Sequence, residues 1–311
     1  MSTVAIVAPS GIFDRNRLHK GIAFLQSNGF TVLKSPNLYE THRVTAGTIE
    51  QRLSDFRWAM QHPDVDFICF ARGGYGCIEL LEHIDFSCLK ETCLLGFSDA
   101  TAMGAAISNG KMDNFVHAPV IHSLSDHCDE ESQNHLLSFL ESKGTHCPSM
   151  VGEWLCHPLE KAITSPIVGG NLCMLTTLLG TPWQLDCNGK ILLIEEIAEP
   201  AYKVQRMLKH LIYSGMLDGC RAIGLGSWSN CRLPPDVSWT LSDLIIENLQ
   251  PMEIPIFHNL PFGHGQENWL WRANRLYRLE ESATLVYVGS EKEDNEESEE
   301  MENTQKKNRT L

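Results

Sequence analysis

Short apolar runs alternating with helical periods constrain this chain more than any other feature. "VAIVA" at 4–8 reads as a buried strand and "PSG" as its turn. A helical stretch over about 15–28 follows, closed by Asn28–Gly29. "FTVLKS" is a second strand, and "IEQRLSDFRWAMQ" has helical periodicity. "VDFICFA" at 65–71 is apolar throughout, as a strand covered on both faces must be. "RGGYG" turns the chain into a helix through "CIELLEHI". "CLLGFS" is a fourth strand and turn before a helix over about 99–108, and "NFVHAPV" is a fifth strand. Strands alternating with helices predict a mainly parallel α/β sheet, flavodoxin- or Rossmann-like. Ligands in such sheets bind beyond the C-terminal strand ends. Four turns fall there: Pro9–Gly11, Arg72–Gly76, Gly96–Asp99 and His117–Pro119.

The rest of the 311 residues is more mixed. Residues 1–125 are expected to form the first α/β domain, 126–165 a connection, and 166–290 a smaller, β-rich α/β domain. In that second block a Gly-Gly-Asn turn at 169–171 precedes an apolar helix, and "GKILLIEEI" (189–197) is a strand with a polar end. "YKVQRMLKHLIYSG" (202–215) is a helix closed by Gly215, and "CRAIGLGSW" is a strand running into a glycine turn. "WTLSDLIIENLQ" is a further helix, and "PIFHNLPFGHG" a strand into a turn. The tail 291–311 carries acidic and basic residues and no aromatic, and is expected to be disordered.

A formal net charge of −14 disfavours a nucleic-acid partner. Eleven scattered cysteines, several inside apolar runs such as "FICF" and "NLCML", read as reduced buried thiols. No apolar run approaches the length of a membrane span. The apolar start has no basic leader and stops at Pro9, so it reads as a strand rather than a signal peptide. The expected compartment is the cytosol.

Several residues sit where chemistry is done. "GFSDA" at 96–100 is close to a nucleophile elbow, with Ala100 in place of the last glycine. Ser98 reads either as a nucleophile or as a helix N-cap. "RGGYG" can turn backbone N–H groups toward an oxygen, or be a plain tight turn, and Arg72 beside it can bind an anion. In "IEEIAEP", alternation puts Glu195 and Glu196 on opposite faces, one toward a cleft and the other toward solvent or a base such as Arg206. His264, between two glycines in "FGHGQEN", and His117 both lie just past apolar runs, a natural place for a general base. "APSGIF" after the first strand lacks the dinucleotide fingerprint.

Together these motifs resemble the LD-carboxypeptidase family of serine peptidases, which includes muramoyl-tetrapeptide carboxypeptidase and the microcin C self-immunity proteins. The resemblance covers roughly 4–288 and rests on "APSG", "RGGYG", "GFSD", "GGNL", "GTPW", "LLIEEIAEPAYKVQRML" and "FGHG" in this order. It implies a Ser98–Glu195–His264 triad with oxyanion donors at Gly74 and Asp99. It also implies a homodimer, without metal or cofactor, that releases terminal D-alanine from murein tetrapeptides. Arg72 and Arg206 become candidates for the substrate carboxylate. Cleavage of a peptidyl- or aminoacyl-nucleotide adduct, as in microcin immunity, is the alternative. Glu196 departs from the family's usual Asp at that position.

Overall fold

The computed structural model describes residues 2–289; the expected disordered tail lies outside them. The first half builds β1 (Thr3–Val7), α1 (Arg15–Ser27), β2 (Thr31–Lys34), α2 (Ile49–Gln61), β3 (Phe67–Phe70), β4 (Cys93–Gly96), α3 (Thr101–Asn109) and β5 (Phe115–His117). Local chemistry starts the helices where the sequence reading placed them. Asp14 caps α1 by accepting from the Asn16 and Arg17 N–H groups, and Thr48 with Gln51 forms a capping box on α2. The strands run in the order β2-β1-β3-β4-β5, all parallel. That is the flavodoxin-like order, and its direction reverses between β1 and β3. The Pro9–Gly11 and Arg72–Gly76 turns flank that point, where the Gly11 N–H donates to Gly73 O at 3.1 Å.

"CIELLEHI", expected as a helix, instead forms a 3-10 turn at Cys77–His83. Residues 126–165, expected as a connection, contain regular structure. They hold α4 (Glu130–Glu141), whose Phe139 and Leu140 are buried, and two strands, β6 (Met150–Val151) and β7 (Glu153–Cys156).

The second half supplies β8 (Ile163–Asn171), α5 (Leu172–Thr177), β9 (Ile191–Ile197), α6 (Ala201–Tyr213), β10 (Ala222–Ser229), α7 (Leu241–Leu249) and β11 (Ile256–His258). It ends with β12 (Trp271–Arg272), β13 (Leu276–Leu279) and β14 (Thr284–Gly289). Its sheet has eight strands in the order β6-β14-β13-β8-β9-β10-β11-β7, with a parallel centre from β8 to β11. Two expectations fail locally. Gly169–Gly170–Asn171 is the end of β8 rather than a turn, because it stays in register with Leu193–Glu195 of β9. "GLGSW" likewise stays in β10, which absorbs its irregularity as a register shift between Leu225 and Trp228.

The two sheets are not separate in sequence. β12 returns to the first sheet and pairs antiparallel with β5, Trp271 opposite His117. Among the described residues no helix is long and apolar enough to cross a membrane.

Candidate active site

Ser98 follows β4 at the start of a single 3-10 turn, and its backbone sits at φ +62°. A left-handed serine is strained, so the surrounding packing must hold it there. Gly73 allows the close approach: a Cβ at that position would lie 3.0 Å from Ser98 Cβ and 3.2 Å from Oγ. The glycine turn and the serine turn are thus in direct contact. Gly74, at φ +114°, sits in the glycine turn, and Asp99 directly follows Ser98 in the 3-10 turn.

The Asp99 side chain is engaged through Oδ2, while its buried Oδ1 has no hydrogen-bond partner among the described residues. It is buried, and accepts from Ser10 Oγ at 2.6 Å and from the Cys77 N–H at 2.9 Å. Burial raises its pKa above the ordinary aspartate value, against the pull of those two donors. The carboxylate therefore ties together the turns after β1, β3 and β4. Arg52 does similar work from α2. Its buried guanidinium donates to Pro9 O at 2.7 Å, Gly76 O at 2.9 Å and Gly47 O at 3.2 Å, and pairs with Glu79. Sequence reasoning missed both roles. The available signal was an arginine on the buried face of α2, shared with Leu53, Phe56 and Ala59.

Glu195 comes from β9 in the other sheet and is fully buried. Its Oε2 lies 2.6 Å from His264 Nδ1. A carboxylate only accepts, so Nδ1 carries the proton and Nε2 is left as the basic nitrogen. Gly263, at φ +112°, permits this contact, since a Cβ there would meet Ser227 Oγ at 2.6 Å and Glu195 Cβ at 2.8 Å. The loop is pinned further by the Gly265 N–H donating to Ser227 Oγ at 3.1 Å. The His264 ring packs against Phe97, with centroids 4.7 Å apart. That contact sets the imidazole beside the residue that precedes Ser98. Among the described residues Ser98 Oγ has no hydrogen bond to His264.

The neighbouring acid corrects an expectation. Glu196 reaches neither solvent nor Arg206; it is buried, accepting from Asn171 Nδ2 at 3.1 Å and from the Cys173 and Ile197 N–H groups at 2.7 Å each. Burial raises its pKa, and the amides offset part of that. β9 is covered on both faces, so alternation separates the two carboxylates without exposing either. The Asn171 N–H donates in turn to Thr101 Oγ1 at 3.0 Å, joining the end of β8 to α3.

Of the two arginines, Arg72 lies beside the glycine turn and donates to Ile12 O. Arg206 is exposed on α6 over the Tyr202 ring, 5.5 Å from its centroid, and no contact joins it to the residues around Ser98. Among the described residues no group of three or more His, Cys, Asp or Glu is placed to hold a metal ion.

Sequence comparison agrees with this arrangement of two halves. The model of the LD-carboxypeptidase N-terminal domain matches residues 4–117, and that of its C-terminal domain matches 164–279. A putative carboxypeptidase of Synechocystis sp. is 33% identical over 85% of this chain and 87% of its own length. The murein tetrapeptide carboxypeptidase of Pseudomonas aeruginosa is 30% identical over 89% of this chain and 92% of its own. The crystal structure of muramoyltetrapeptide carboxypeptidase from Oxalobacter formigenes superposes with a TM-score of 0.82 at 27% identity, covering 93% of this chain and 100% of that one.

Proposed function

The chain belongs to the LD-carboxypeptidase family, and from that premise we propose that it hydrolyses the L,D-peptide bond that releases the terminal D-alanine of murein tetrapeptides, with Ser98 as nucleophile, His264 as base and Glu195 as its orienting acid. One observation carries the reading: a buried carboxylate 2.6 Å from an imidazole that packs beside the turn of a strained serine. Glu195 fixes the Nε2-basic tautomer of His264 and stabilises the imidazolium that forms. Ser98 Oγ loses its proton to His264 Nε2 as it attacks the substrate carbonyl, and the contact between them closes in the substrate complex. The Gly74 and Asp99 N–H groups hold the oxyanion. His264 then returns the proton to the departing amine, and water repeats the attack on the acyl-enzyme.

Arg72, next to the glycine turn, is our first candidate for the terminal carboxylate, and Arg206, over the Tyr202 ring on α6, is the second. Mass spectrometry of L-Ala-D-Glu-meso-diaminopimelyl-D-Ala incubated with wild type and with Ser98→Ala tests the reading. We expect loss of one D-alanine with wild type only. An unchanged peptide in both tubes would reject the tetrapeptide, and a peptidyl-nucleotide adduct would be the next substrate offered. Equal release by both proteins would reject Ser98.

A further inference from the structure

His117 and His264 have the same setting in the sequence, yet the reaction above uses only His264. His117 ends β5 and is fully buried. Its ring stacks on Trp271, 5.0 Å between centroids at 12°, and meets Phe262 edge-on at 5.4 Å. Phe97, the residue before Ser98, lies against both imidazoles, at 5.6 Å from His117 and 4.7 Å from His264.

The polar contacts of His117 are specific. Its Nε2 lies 3.2 Å from Asn268 Oδ1, and the same oxygen accepts from the Gly263 N–H at 3.0 Å. A backbone N–H can only donate, so the Asn268 atom facing both groups is the oxygen, and His117 Nε2 must carry a proton. The Asn268 N–H itself donates to Ser132 Oγ of α4 at 2.8 Å. His264 lies inside this bracket. The residue before it is held by Asn268, Asn268 is held by His117 and Ser132, and β12 follows at once, paired with β5. His117 and Ser132 lie in the part of the chain before β6, on the side of Ser98, whereas Glu195 and Ser227, the loop's other contacts, belong to the second sheet.

We propose that His117 and Asn268 are positioning residues: their hydrogen bond holds the 262–268 loop so that the His264 imidazole stands against the Ser98 turn. The inference rests on the reading of His264 as the base. A loop with two glycines has wide backbone freedom, and a misplacement of about 1 Å in a reacting group costs on the order of 100-fold in rate. A buried side-chain tether between the loop and β5 removes that freedom.

Two substitutions cut the tether with little change of volume. His117→Phe keeps a ring on Trp271 and loses the N–H donor; Asn268→Leu loses the acceptor. Each should lower kcat for tetrapeptide hydrolysis by roughly 10- to 100-fold, leaving KM within about twofold because substrate contacts are untouched. The double variant should fall no further than Asn268→Leu alone, since that substitution already removes the oxygen that His117 and Gly263 share. The far-downfield proton resonance expected of His264 Nδ1–H in its bond to Glu195 should shift or broaden in both variants, while thermal unfolding stays cooperative. Wild-type kcat and an unshifted resonance in folded variants would overturn the proposal, as would a double loss equal to the product of the single losses. Should His117→Phe not fold, Asn268→Leu decides by the same two readouts. Should the wild type release no D-alanine, the functional reading fails separately, and the resonance in Asn268→Leu still decides the tether: shifted supports it, unshifted rejects it.

Discussion

Ser98 holds a backbone angle that costs a non-glycine residue about 1–2 kcal/mol. The cost has a measurable signature. Replacing Ser98 by alanine removes the hydroxyl and keeps the Cβ, so the strain stays. Replacing it by glycine removes both. At an ordinary helical site glycine is less stable than alanine by roughly 0.5–1 kcal/mol; at Ser98 the order should invert, with Ser98→Gly equal to Ser98→Ala or up to about 1 kcal/mol more stable. Denaturant unfolding of the two variants reads the difference. A glycine variant that is less stable by the usual helical margin would mean that the turn is unstrained. The sequence showed a small-residue turn between strand and helix but left both nucleophile and cap open at that turn, because φ is set by tertiary packing. At Glu195 and Glu196 period-two alternation was legible, and the burial of both carboxylates was not. Burial follows from the central place of β9, and a strand's place in its sheet is not written in the strand itself.

At the scale of elements, two glycines join the turns to the strands, and they should fail differently. Gly73 lies in the turn after β3 with an ordinary φ, and an added Cβ would press only on the Ser98 side chain, at 3.0 Å. Gly73→Ala should therefore displace the hydroxyl by a few tenths of an ångström, lowering kcat by about 10-fold or more while thermal stability barely changes. Gly263 has φ +112°, and its added Cβ would meet Ser227 Oγ at 2.6 Å and Glu195 Cβ at 2.8 Å. Gly263→Ala should lose activity and also about 2–5 kcal/mol of stability, from overpacking and backbone strain together. Activity assays beside melting curves separate the two cases; a Gly73→Ala protein with wild-type turnover would show that the turn yields without moving the Ser98 hydroxyl. Most strands and helices were legible from their periodicity, β1 to β5 especially. The missed elements are short: β12 is two residues, and its place beside β5 is a long-range pairing that no local pattern records. "CIELLEHI" shows an apolar pattern yet tightens to 3-10 geometry after Gly76.

At the scale of the whole molecule, the chain brings Ser98 at the end of one sheet toward Glu195 of the other, and the His264 loop crosses between them. His117 stands at that crossing, buried against β12 and close enough to Glu195 and His264 to feel their charges. Burial pulls its pKa from 6.5 down to about 4. The sign of the linkage follows. Between those values the unfolded chain binds a proton that the folded protein refuses, so stability is full above about pH 6.5 and is lost as pH falls toward 4. The loss at this one group approaches about 3 kcal/mol at the acid end. His122, half-buried and also drawn to about 4 by desolvation and by Arg17 and Arg72, acts in the same direction with more solvent screening. Asp99 and Glu196, raised by burial, act in the opposite direction. Total stability against pH therefore mixes signs, and the informative quantity is the difference between wild type and His117→Phe. In that difference His122, Asp99 and Glu196 cancel to first order. The variant should be less stable than wild type at pH 7, where its lost hydrogen bond dominates. The gap should narrow as pH falls from 6.5 to 4, because phenylalanine has no proton to refuse. Thermal unfolding at half-unit intervals across that window measures it. A gap that stays constant from pH 7 to pH 4 would mean that His117 keeps the same proton affinity folded and unfolded, and that acid loosens the molecule somewhere other than the crossing between its two sheets.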